Sequence, residues 1–496
     1  MGFGVAAVGG TPAAAEIPNP YVFSSADVGF IEGGVDVQRR VDLIPVMDEY
    51  VGDKKPIIRI DLGWNFIQSC ATCPVDWTEL DRSVDAAYAQ GMRVLLILGY
   101  APSWANGGRK FNYFPTDDAA WASIVDAAVA HFGPKVQAYE VWNEPNLEHF
   151  GNYGDNSVDV RAGRYWELVK IAYQRVHAAC ADCVVVAGGS AYGDVYDARQ
   201  SRNDNEARDW LEWAYKHNMR GYFDAVAYHP YPDIRGGHLP SYAMIPCTAP
   251  HWYRWWSGFG PDDPQCGGLA ALRAVMVQYG DSAKKIWGTE FGFPTSGSRE
   301  PQSREHVRDA LEEGVRTWRS RDYTGPLFIY SFQDLQRSFP HCVKNPADGE
   351  CHFGLRDAEG RPKEPIYSDV RAALIGNDFL NSLSPGRSLF RGTAMRSSDG
   401  KYWLWMQTDG NLVIYQVVGG RQTVLWGQGD KRAYRLSNQH DGNLVLYDQA
   451  DNVLWSSRTK GKGDSTLWMQ EDGNLVLYAH QPLPVKPTWA SNTVRP

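Results

Sequence analysis

The amino-acid sequence predicts an α/β fold, a closed (β/α)8 barrel, joined to a C-terminal all-β domain. Eight short runs rich in β-branched or aromatic residues alternate with longer helix-like segments over about the first 375 of 496 residues. This alternation is typical of parallel βα units. After that point a pattern with an Asp-Gly turn recurs three times, which predicts three similar antiparallel sub-sheets.

The barrel strands are predicted at 21–25, 57–62, 93–100, 136–144, 183–190, 223–231, 285–292 and 326–332. Between them, 77–91 and 119–133 carry apolar residues at the three- and four-residue steps of amphipathic helices. An open doubly wound sheet is the alternative, but the glycine-rich phosphate turn that usually follows its first strand does not occur here. We assign 21–376 to a TIM-type barrel and 377–496 to the all-β domain, with LNSLSPGRSLF as the linker.

Composition and charge restrict the partners. The net charge of -9 argues against nucleic acid or an anionic membrane as a partner, because both require a clustered basic surface. The sequence contains no run of about 18 apolar residues, so it predicts no membrane-spanning helix. Residues 1–20 are interpreted as an N-terminal segment, the trimmed end of a secretion signal or an added start. The 19 Trp and 26 Tyr suit a carbohydrate-binding protein, because flat aromatic side chains can stack on sugar rings. Large aromatic residues also fill hydrophobic cores.

The eight cysteines form four pairs that are close in sequence. An even number in close pairs predicts disulfides in an exported protein. The alternative is a zinc site made by the two CxxC pairs, but these lie far apart and have no nearby histidine. The pairs are Cys70/Cys73, Cys180/Cys183, Cys247/Cys266 and Cys342/Cys351.

Two glutamates lie at the ends of predicted strands. Glu144, in WNEPN, ends the fourth strand, and Glu290, in TEFG, ends the seventh. The carboxyl ends of barrel strands surround one mouth, where active sites lie. Glycoside hydrolysis requires one carboxyl group that protonates the leaving oxygen and a second that supports the oxocarbenium-like centre. The sequence therefore predicts Glu144 and Glu290 as a catalytic pair.

These motifs resemble clan A of the glycoside hydrolases, retaining (β/α)8 enzymes, and are most similar to family 39 and related bacterial enzymes that cleave exopolysaccharides. The resemblance covers most of 20–375. It implies that Glu144 is the general acid/base and Glu290 the nucleophile. The segments that carry it are IIRIDLGW, AYEVWNEPN, FDAVAYHPY, KIWGTEFGFPT and FGLRDAEGRPK.

The resemblance also implies roles for neighbouring residues. Asn143 would hold the sugar hydroxyl next to the reacting carbon, and Arg59 would bond to Glu290 and keep it ionised. His229 and Tyr231 would line the site, with the tyrosine close to Glu290. A structural ion pair for Arg59 and a core position for His229 are the alternatives.

Aromatic residues near the strand ends are predicted to contact sugar, with packing of loops against the barrel as the alternative. Trp64 and Trp104 follow the second and third strands. Many of the enzymes that the barrel resembles place a Trp floor at the end of strand eight, where this chain has Phe332 or Gln333. The loop between Cys247 and Cys266 adds Trp252, Tyr253, Trp255 and Trp256.

Each C-terminal repeat carries Gln-x-Asp-x-Asn-x-Val-x-Tyr, and strand alternation directs these five side chains to one face. Amide, carboxylate and phenol groups together suit a neutral polyol without a metal. The residues are Gln407, Asp409, Asn411, Val413 and Tyr415; Gln439, Asp441, Asn443, Val445 and Tyr447; and Gln470, Asp472, Asn474, Val476 and Tyr478.

This pattern is similar to the motif of the bulb-type mannose-binding lectins, which fold as a β-prism. The resemblance implies mannose affinity, weak at each site and increased when three sites engage together. Persistence of the motif as turn-and-core architecture alone is the alternative. The segments VLWGQ, VLWSS and PTWAS are predicted to close the sub-sheets, with Trp426, Trp455 and Trp489 in the centre.

We therefore interpret the chain as a secreted, extracellular, retaining glycoside hydrolase that acts on a poly- or oligosaccharide without a cofactor. Its lectin-like module is expected to bind mannose-type glycans, and the chain to be a monomer or a lectin-mediated dimer. A non-catalytic glycan-binding protein or adhesin, and a transglycosylase, are the alternatives.

Overall fold

The structure is a computed structural model, and its first part is a closed barrel of eight parallel strands paired in chain order, with β1 closing on β8. It describes residues 20–31, 36–154, 157–191, 207–231, 268–297, 303–337, 339–375, 382–391, 393–397, 399–407, 409–418, 421–480 and 486–495. The barrel strands are β1 (Val28–Ile31), β2 (Ile57–Asp61), β3 (Arg93–Leu98), β4 (Ala138–Asn143), β5 (Val184–Ser190), β6 (Ala225–Tyr228), β7 (Lys285–Phe291) and β8 (Thr324–Tyr330).

Helices follow or connect these strands, and their apolar faces pack on the barrel. The two amphipathic segments predicted from sequence are confirmed as α3 and α4. Asp117 and Ser157 cap α4 and α5 by accepting backbone N–H bonds. The described helices are α1 (Val37–Val51), α2 (Trp64–Ile67), α3 (Thr78–Ala89), α4 (Asp118–Phe132), α5 (Val158–Ala179), α6 (Ala207–Lys216), α7 (Gly268–Gln278), α8 (Arg304–Arg319), α9 (Pro340–Lys344) and α10 (Ile366–Ile375).

The predicted position of the first strand is wrong. The aromatic run 21–25 ends in a turn, in which Ser24 N and Oγ donate to Asp27, and β1 begins at Val28. Gly29 lies within β1 and weakens the strand pattern of this segment in the sequence. Its lack of a side chain is required, because a Cβ there would lie 2.1 Å from the ring of Phe328.

The C-terminal domain consists of three four-stranded antiparallel sheets, in the orders β11-β12-β13-β14, β10-β15-β16-β17 and β20-β19-β18-β9. Its strands are β9 (Ser382–Leu383), β10 (Ser388–Phe390), β11 (Thr393–Arg396), β12 (Tyr402–Met406), β13 (Asn411–Val418), β14 (Arg421–Gly429), β15 (Ala433–Asn438), β16 (Leu444–Asp448), β17 (Val453–Ser456), β18 (Ser465–Met469), β19 (Leu475–Ala479) and β20 (Lys486–Ala490).

The predicted centre of this domain is confirmed. Trp426, Trp455 and Trp489 come from the closing strand of each sheet, and their ring centroids lie 6.4, 6.1 and 5.7 Å apart. The interpretation of 380–390 as a plain linker is wrong, because β9 and β10 lie within it and pair with β18 and β15. Backbone pairing holds these short strands, and they also bury Leu383, Leu389 and Phe390 in the domain.

Charged side chains join the barrel to the segment that enters the C-terminal domain. Arg387 forms an ion pair with Glu312 of α8 and lies 3.4 Å from Asp369 of α10. Arg308 Nη2 donates to the carbonyl of Gly386 at 2.8 Å. These groups are buried or nearly so, and an ionic contact that is shielded from water keeps more of its strength than an exposed one. None of the described helices is long and apolar enough to cross a bilayer.

Candidate active site

Glu144 lies directly after β4, at the carboxyl end of the barrel, as predicted. The backbone there is strained: Trp142 and Glu144 have φ values of 70° and 44°, which non-glycine residues rarely adopt. The Nε1 atom of Trp142 donates to the carbonyl of Phe150 at 2.8 Å, which helps to hold the turn. Strain of this kind persists where surrounding contacts fix the backbone, and it is common at active sites.

Glu290 is bonded at both carboxylate oxygens. Arg59 Nη1 donates to Oε1 at 2.7 Å, and the hydroxyl of Tyr231 donates to Oε2 at 2.6 Å. The predictions that Arg59 bonds to Glu290 and that Tyr231 lies close to it are confirmed. Burial raises the pKa of Glu290, but the charges of His229 and Arg59, with these hydrogen bonds, outweigh it and lower the pKa overall.

A second buried carboxylate, Glu140, holds Arg59 in place and was not predicted. Arg59 Nε donates to Glu140 Oε2 at 2.6 Å, and Gly189 N and Thr289 Oγ1 donate to Oε1 at 2.8 and 3.1 Å. A charged residue in the apolar runs of both β2 and β4 was the available signal, because ions buried in a barrel require partners. The two roles considered for Arg59 therefore coexist, since it pairs with Glu140 and also reaches Glu290.

Asn143 belongs to the same network. Arg59 Nη2 donates to its Oδ1 at 2.9 Å, so the side-chain amide has a fixed orientation beside the two glutamates. Only 8% of Asn143 is exposed. The arrangement is compatible with the predicted contact to a sugar hydroxyl.

His229 lies between the two glutamates. Its Nδ1 atom is 2.9 Å from Glu144 Oε1 and 3.5 Å from Glu290 Oε2. The ring is buried against Gly189, where a Cβ would lie 2.1 Å from His229 Nε2. Burial lowers the pKa of His229, but the charge of Glu290 and the hydrogen bond and charge of Glu144 raise it overall.

The three side chains converge closely. One oxygen of each glutamate and a ring nitrogen of His229 all lie within 4.8 Å of one another. Such donors can bind a metal ion, but both oxygens of Glu290 already accept bonds, one of them from the cationic Arg59. The arrangement is better suited to a pair of carboxyl groups that act on one carbon atom.

The end of β8 supplies a further part of the cleft. The hydroxyl of Tyr330 donates to Glu350 Oε1 at 2.5 Å, and the ring of Phe353 lies 5.3 Å from Tyr330 and 5.9 Å from Tyr231. The Cys342–Cys351 disulfide fixes the segment that carries Glu350. Sequence reasoning did not assign Tyr330, Glu350 or Phe353 to the site, although Tyr330 lies in the predicted strand 326–332 and Phe353 begins the segment FGLRDAEGRPK.

Two predicted sugar contacts are wrong. Phe332 is 0% exposed and packs on Phe30 and Tyr50 behind the barrel wall, so it cannot form the floor of the site. Trp64 is also 0% exposed, and its Nε1 atom donates to Gln68 at 2.7 Å. Trp104 is half-buried against Trp64.

The predicted disulfides are confirmed for three of the four pairs, Cys70–Cys73, Cys180–Cys183 and Cys342–Cys351. The zinc alternative is wrong for these residues, because their sulfur atoms are bonded to each other. The pair Cys247/Cys266 and the aromatic residues between them (Trp252, Tyr253, Trp255 and Trp256) lie outside the described residues.

The three C-terminal motifs share one geometry. In each repeat the motif glutamine donates to the motif tyrosine, at 2.8, 2.8 and 3.0 Å. The aspartate accepts from the backbone N–H of the asparagine two residues later, at 3.0, 3.0 and 2.9 Å. The motif valines are at most 8% exposed, so their methyl groups offer less contact surface than the sequence predicted.

No family model matches the chain. A mannose-specific lectin of Aloe arborescens is 36% identical over 101 residues, which are 20% of this chain and 85% of that protein. Two other mannose-specific lectins are also similar. The matched residues cover 56% of the lectin from Remusatia vivipara and 36% of the lectin from Colocasia esculenta. A β-xylosidase of Geobacillus stearothermophilus is 28% identical over 115 residues, 20% of this chain and 22% of that enzyme.

Among solved structures, a family 39 glycoside hydrolase from the gut symbiont Bacteroides cellulosilyticus is similar, with a TM-score of 0.55 and 18% identity. The match covers 95% of this chain and 80% of that one. At this identity the likeness establishes the fold of the barrel and not its chemistry.

Proposed function

We propose that this chain, whose C-terminal domain belongs to the family of mannose-specific lectins, is a secreted retaining glycoside hydrolase with a mannose-binding module. The observation that carries the hydrolase proposal is the approach of Glu144 and Glu290 to within 4.8 Å at the barrel mouth. Retaining enzymes hold their carboxyl groups about 5 to 5.5 Å apart, whereas inverting enzymes leave about 6.5 to 9.5 Å for a water molecule.

The proposed reaction has two steps. Glu290 attacks the anomeric carbon and forms a glycosyl ester while the glycosidic C–O bond breaks and Glu144 gives its proton to the leaving oxygen. Water then attacks the same carbon, Glu144 takes a proton from it, and the bond to Glu290 breaks. Two inversions give net retention.

The surroundings of each glutamate fit these roles. The charges of His229 and Arg59, with the hydrogen bonds from Tyr231 and Arg59, lower the pKa of Glu290 against the effect of burial, which favours the ionised form that a nucleophile requires. Glu144 contacts His229 and not Arg59, which suits a residue that must alternate between acid and base. The different partners of the two carboxyl groups therefore support different roles.

Mannose binding is proposed for the C-terminal domain from its relatives and from the three motif faces. Disulfides form in oxidising compartments, so the three described bridges support secretion. A module that holds a glycan next to the barrel raises the local concentration of substrate there.

The test is product analysis with the full chain. Aryl xylosides, arabinosides, glucosides and mannosides would be supplied, and the first-formed sugar would be observed by proton NMR. We expect turnover of at least one glycoside and a product with the anomeric configuration of the substrate. An inverted product would contradict double displacement. A chain that binds mannose but cleaves none of these or the matching polysaccharides would instead be a glycan-binding protein.

A further inference from the structure

The three motif faces differ in the residues that oppose them across the strand pair. Opposite the motif tyrosine, the repeats carry Trp403, Arg435 and Thr466 in turn. Opposite the motif valine they carry Trp405, Ser437 and Trp468. Directly opposed residues share one face and lie in contact distance. The third repeat alone combines a small residue at the first position with a tryptophan at the second.

The first two repeats fill the space beside their motif. In the first, the rings of Trp403 and Trp405 lie 6.2 Å apart, so a second indole occupies the room next to the motif tyrosine. In the second, the guanidinium of Arg435 lies 4.5 Å from the ring centre of Tyr447, and Ser437 Oγ is 2.8 Å from Ser388 Oγ. In the first repeat Trp405 is 37% exposed, but the second indole lies beside it. The second repeat has no indole opposite its motif tyrosine or valine.

The third repeat leaves this space open. A cavity of about 650 Å³ is lined by Thr466, Trp468, Met469, Gln470, Glu471, Tyr478 and His480. Trp468 is 40% exposed. Thr466 Oγ1 lies 2.8 Å from His480 Nε2 at the side of the cavity away from the Asp-Gly turn. The cavity therefore contains an indole and polar groups next to the motif.

The hydrogen bonds of the motif asparagine also differ between the third repeat and the first, and those of the third repeat suit sugar binding better. Asn474 Oδ1 accepts from Ser491 Oγ at 3.1 Å and from Thr493 N at 3.3 Å, so its amide group is fixed by protein donors. In the first repeat, Asn411 Nδ2 donates to Asp409 Oδ2 at 2.8 Å, so two groups of the motif are bonded to each other.

From these differences we infer that the third repeat is an extended site for an oligosaccharide. This inference rests on the proposed mannose binding of the motif. One mannosyl residue lies on Gln470, Asp472, Asn474 and Tyr478, and the next lies over Trp468 towards Thr466 and His480. Two residues of a strand span roughly 7 Å, which is the scale of one further sugar unit. The other two motifs recognise a single terminal residue.

The test compares methyl α-mannoside with an α-linked mannotriose by isothermal titration. Every protein carries Glu290→Gln so that the probe is not cleaved. Without further change, we expect the triose to bind more tightly than the monosaccharide. Trp468→Ala should weaken triose binding about tenfold, since the indole covers an apolar sugar face, and should weaken binding of the monosaccharide much less. Any binding of the probes in the barrel is common to all variants.

Two further variants make the result specific. Trp405→Ala removes the equivalent indole of the first repeat, and we expect less than a twofold change. Thr466→Trp introduces the large residue of the first repeat into the cavity and should abolish the preference for the triose. Two results would overturn the inference and leave the proposed mannose binding in place. One is an equal loss of triose affinity in Trp468→Ala and Trp405→Ala, and the other is an equal weakening of triose and monosaccharide binding in Trp468→Ala. A chain that binds neither sugar overturns the lectin proposal as well.

Discussion

The Nδ1 atom of His229 lies 2.9 Å from Oε1 of Glu144. The same atom is 3.5 Å from Glu290, so one buried imidazole faces both carboxyl groups. The raised pKa of His229 and the lowered pKa of Glu290 have a common cause, since each charged form stabilises the other. The pH dependence of the reaction should therefore depend on His229.

Replacement of His229 by Asn should move the acidic limb of the kcat/KM profile to higher pH. The substitution removes a positive neighbour of Glu290, so the pKa of that carboxyl group rises and the ionised nucleophile is lost at a higher pH. We expect kcat to fall about 100-fold, because Glu144 also loses its partner. Tyr231→Phe removes a hydrogen bond but no charge and should shift the limb less. An unmoved acidic limb in His229→Asn would contradict this role.

Glu290→Gln should reduce turnover of the full chain by a factor of about 10⁴, because the amide cannot form the glycosyl ester. Binding of methyl α-mannoside should remain, since Glu290 belongs to the barrel and the three sugar-binding motifs belong to the C-terminal domain. The two measurements are initial rates on an aryl glycoside and isothermal titration. Undiminished hydrolysis would refute the assignment of the nucleophile.

Arg59→Met should destabilise the barrel by about 3 to 5 kcal/mol, because it leaves the carboxylate of Glu140 buried without its ionic partner. Urea unfolding at neutral pH measures the free energy. The double variant Arg59→Met, Glu140→Gln should recover part of the loss, since it removes the unpaired charge. A cost below about 1 kcal/mol for Arg59→Met would show that Glu140 does not depend on this partner.

Asp309 predicts a pH dependence of stability. Burial raises its pKa from 3.8 to about 6, although the neighbouring Arg308 lowers it. Between these values the folded chain binds a proton that the unfolded chain does not, so this group's contribution to stability falls as pH rises through the window. Asp309→Asn should make the Tm less dependent on pH between about 4 and 6.

The control for this prediction is Ser320→Asn on the exposed surface, which exchanges one uncharged side chain for another and should leave the pH dependence of the Tm unchanged. Thermal unfolding at several pH values across the window gives the comparison. If Asp309→Asn retains the full dependence of the unsubstituted chain, other groups cause it.

Much of the barrel and the positions of the two glutamates follow from local sequence. Glu144 and Glu290 each end a recognisable strand, and parallel topology then places them at one mouth. Arg59 and Tyr231 were placed correctly through resemblance. The role of Glu140 was not assigned, because a charge within an apolar strand indicates that it needs a partner but not which residue that partner is.

The cleft wall was predicted less well, since the direction of a side chain near a strand end depends on where the strand stops. The strand β8 ends at Tyr330, and Phe332 then points to Tyr50 and Tyr367, away from the cleft. The local run IYSFQD does not fix that end. The first strand was misplaced for a similar reason, because the glycine that Phe328 requires in β1 weakens its pattern.

The pairing of β9 with β18 has a consequence for dissecting the protein. In the C-terminal domain, the outermost strand of the sheet β20-β19-β18-β9 is β9, which comes from residues that follow the barrel. A fragment that starts after Leu383 would lack this strand and leave the backbone of β18 open to adhere to other chains. Separating the two halves for individual study therefore requires a cut before Ser382.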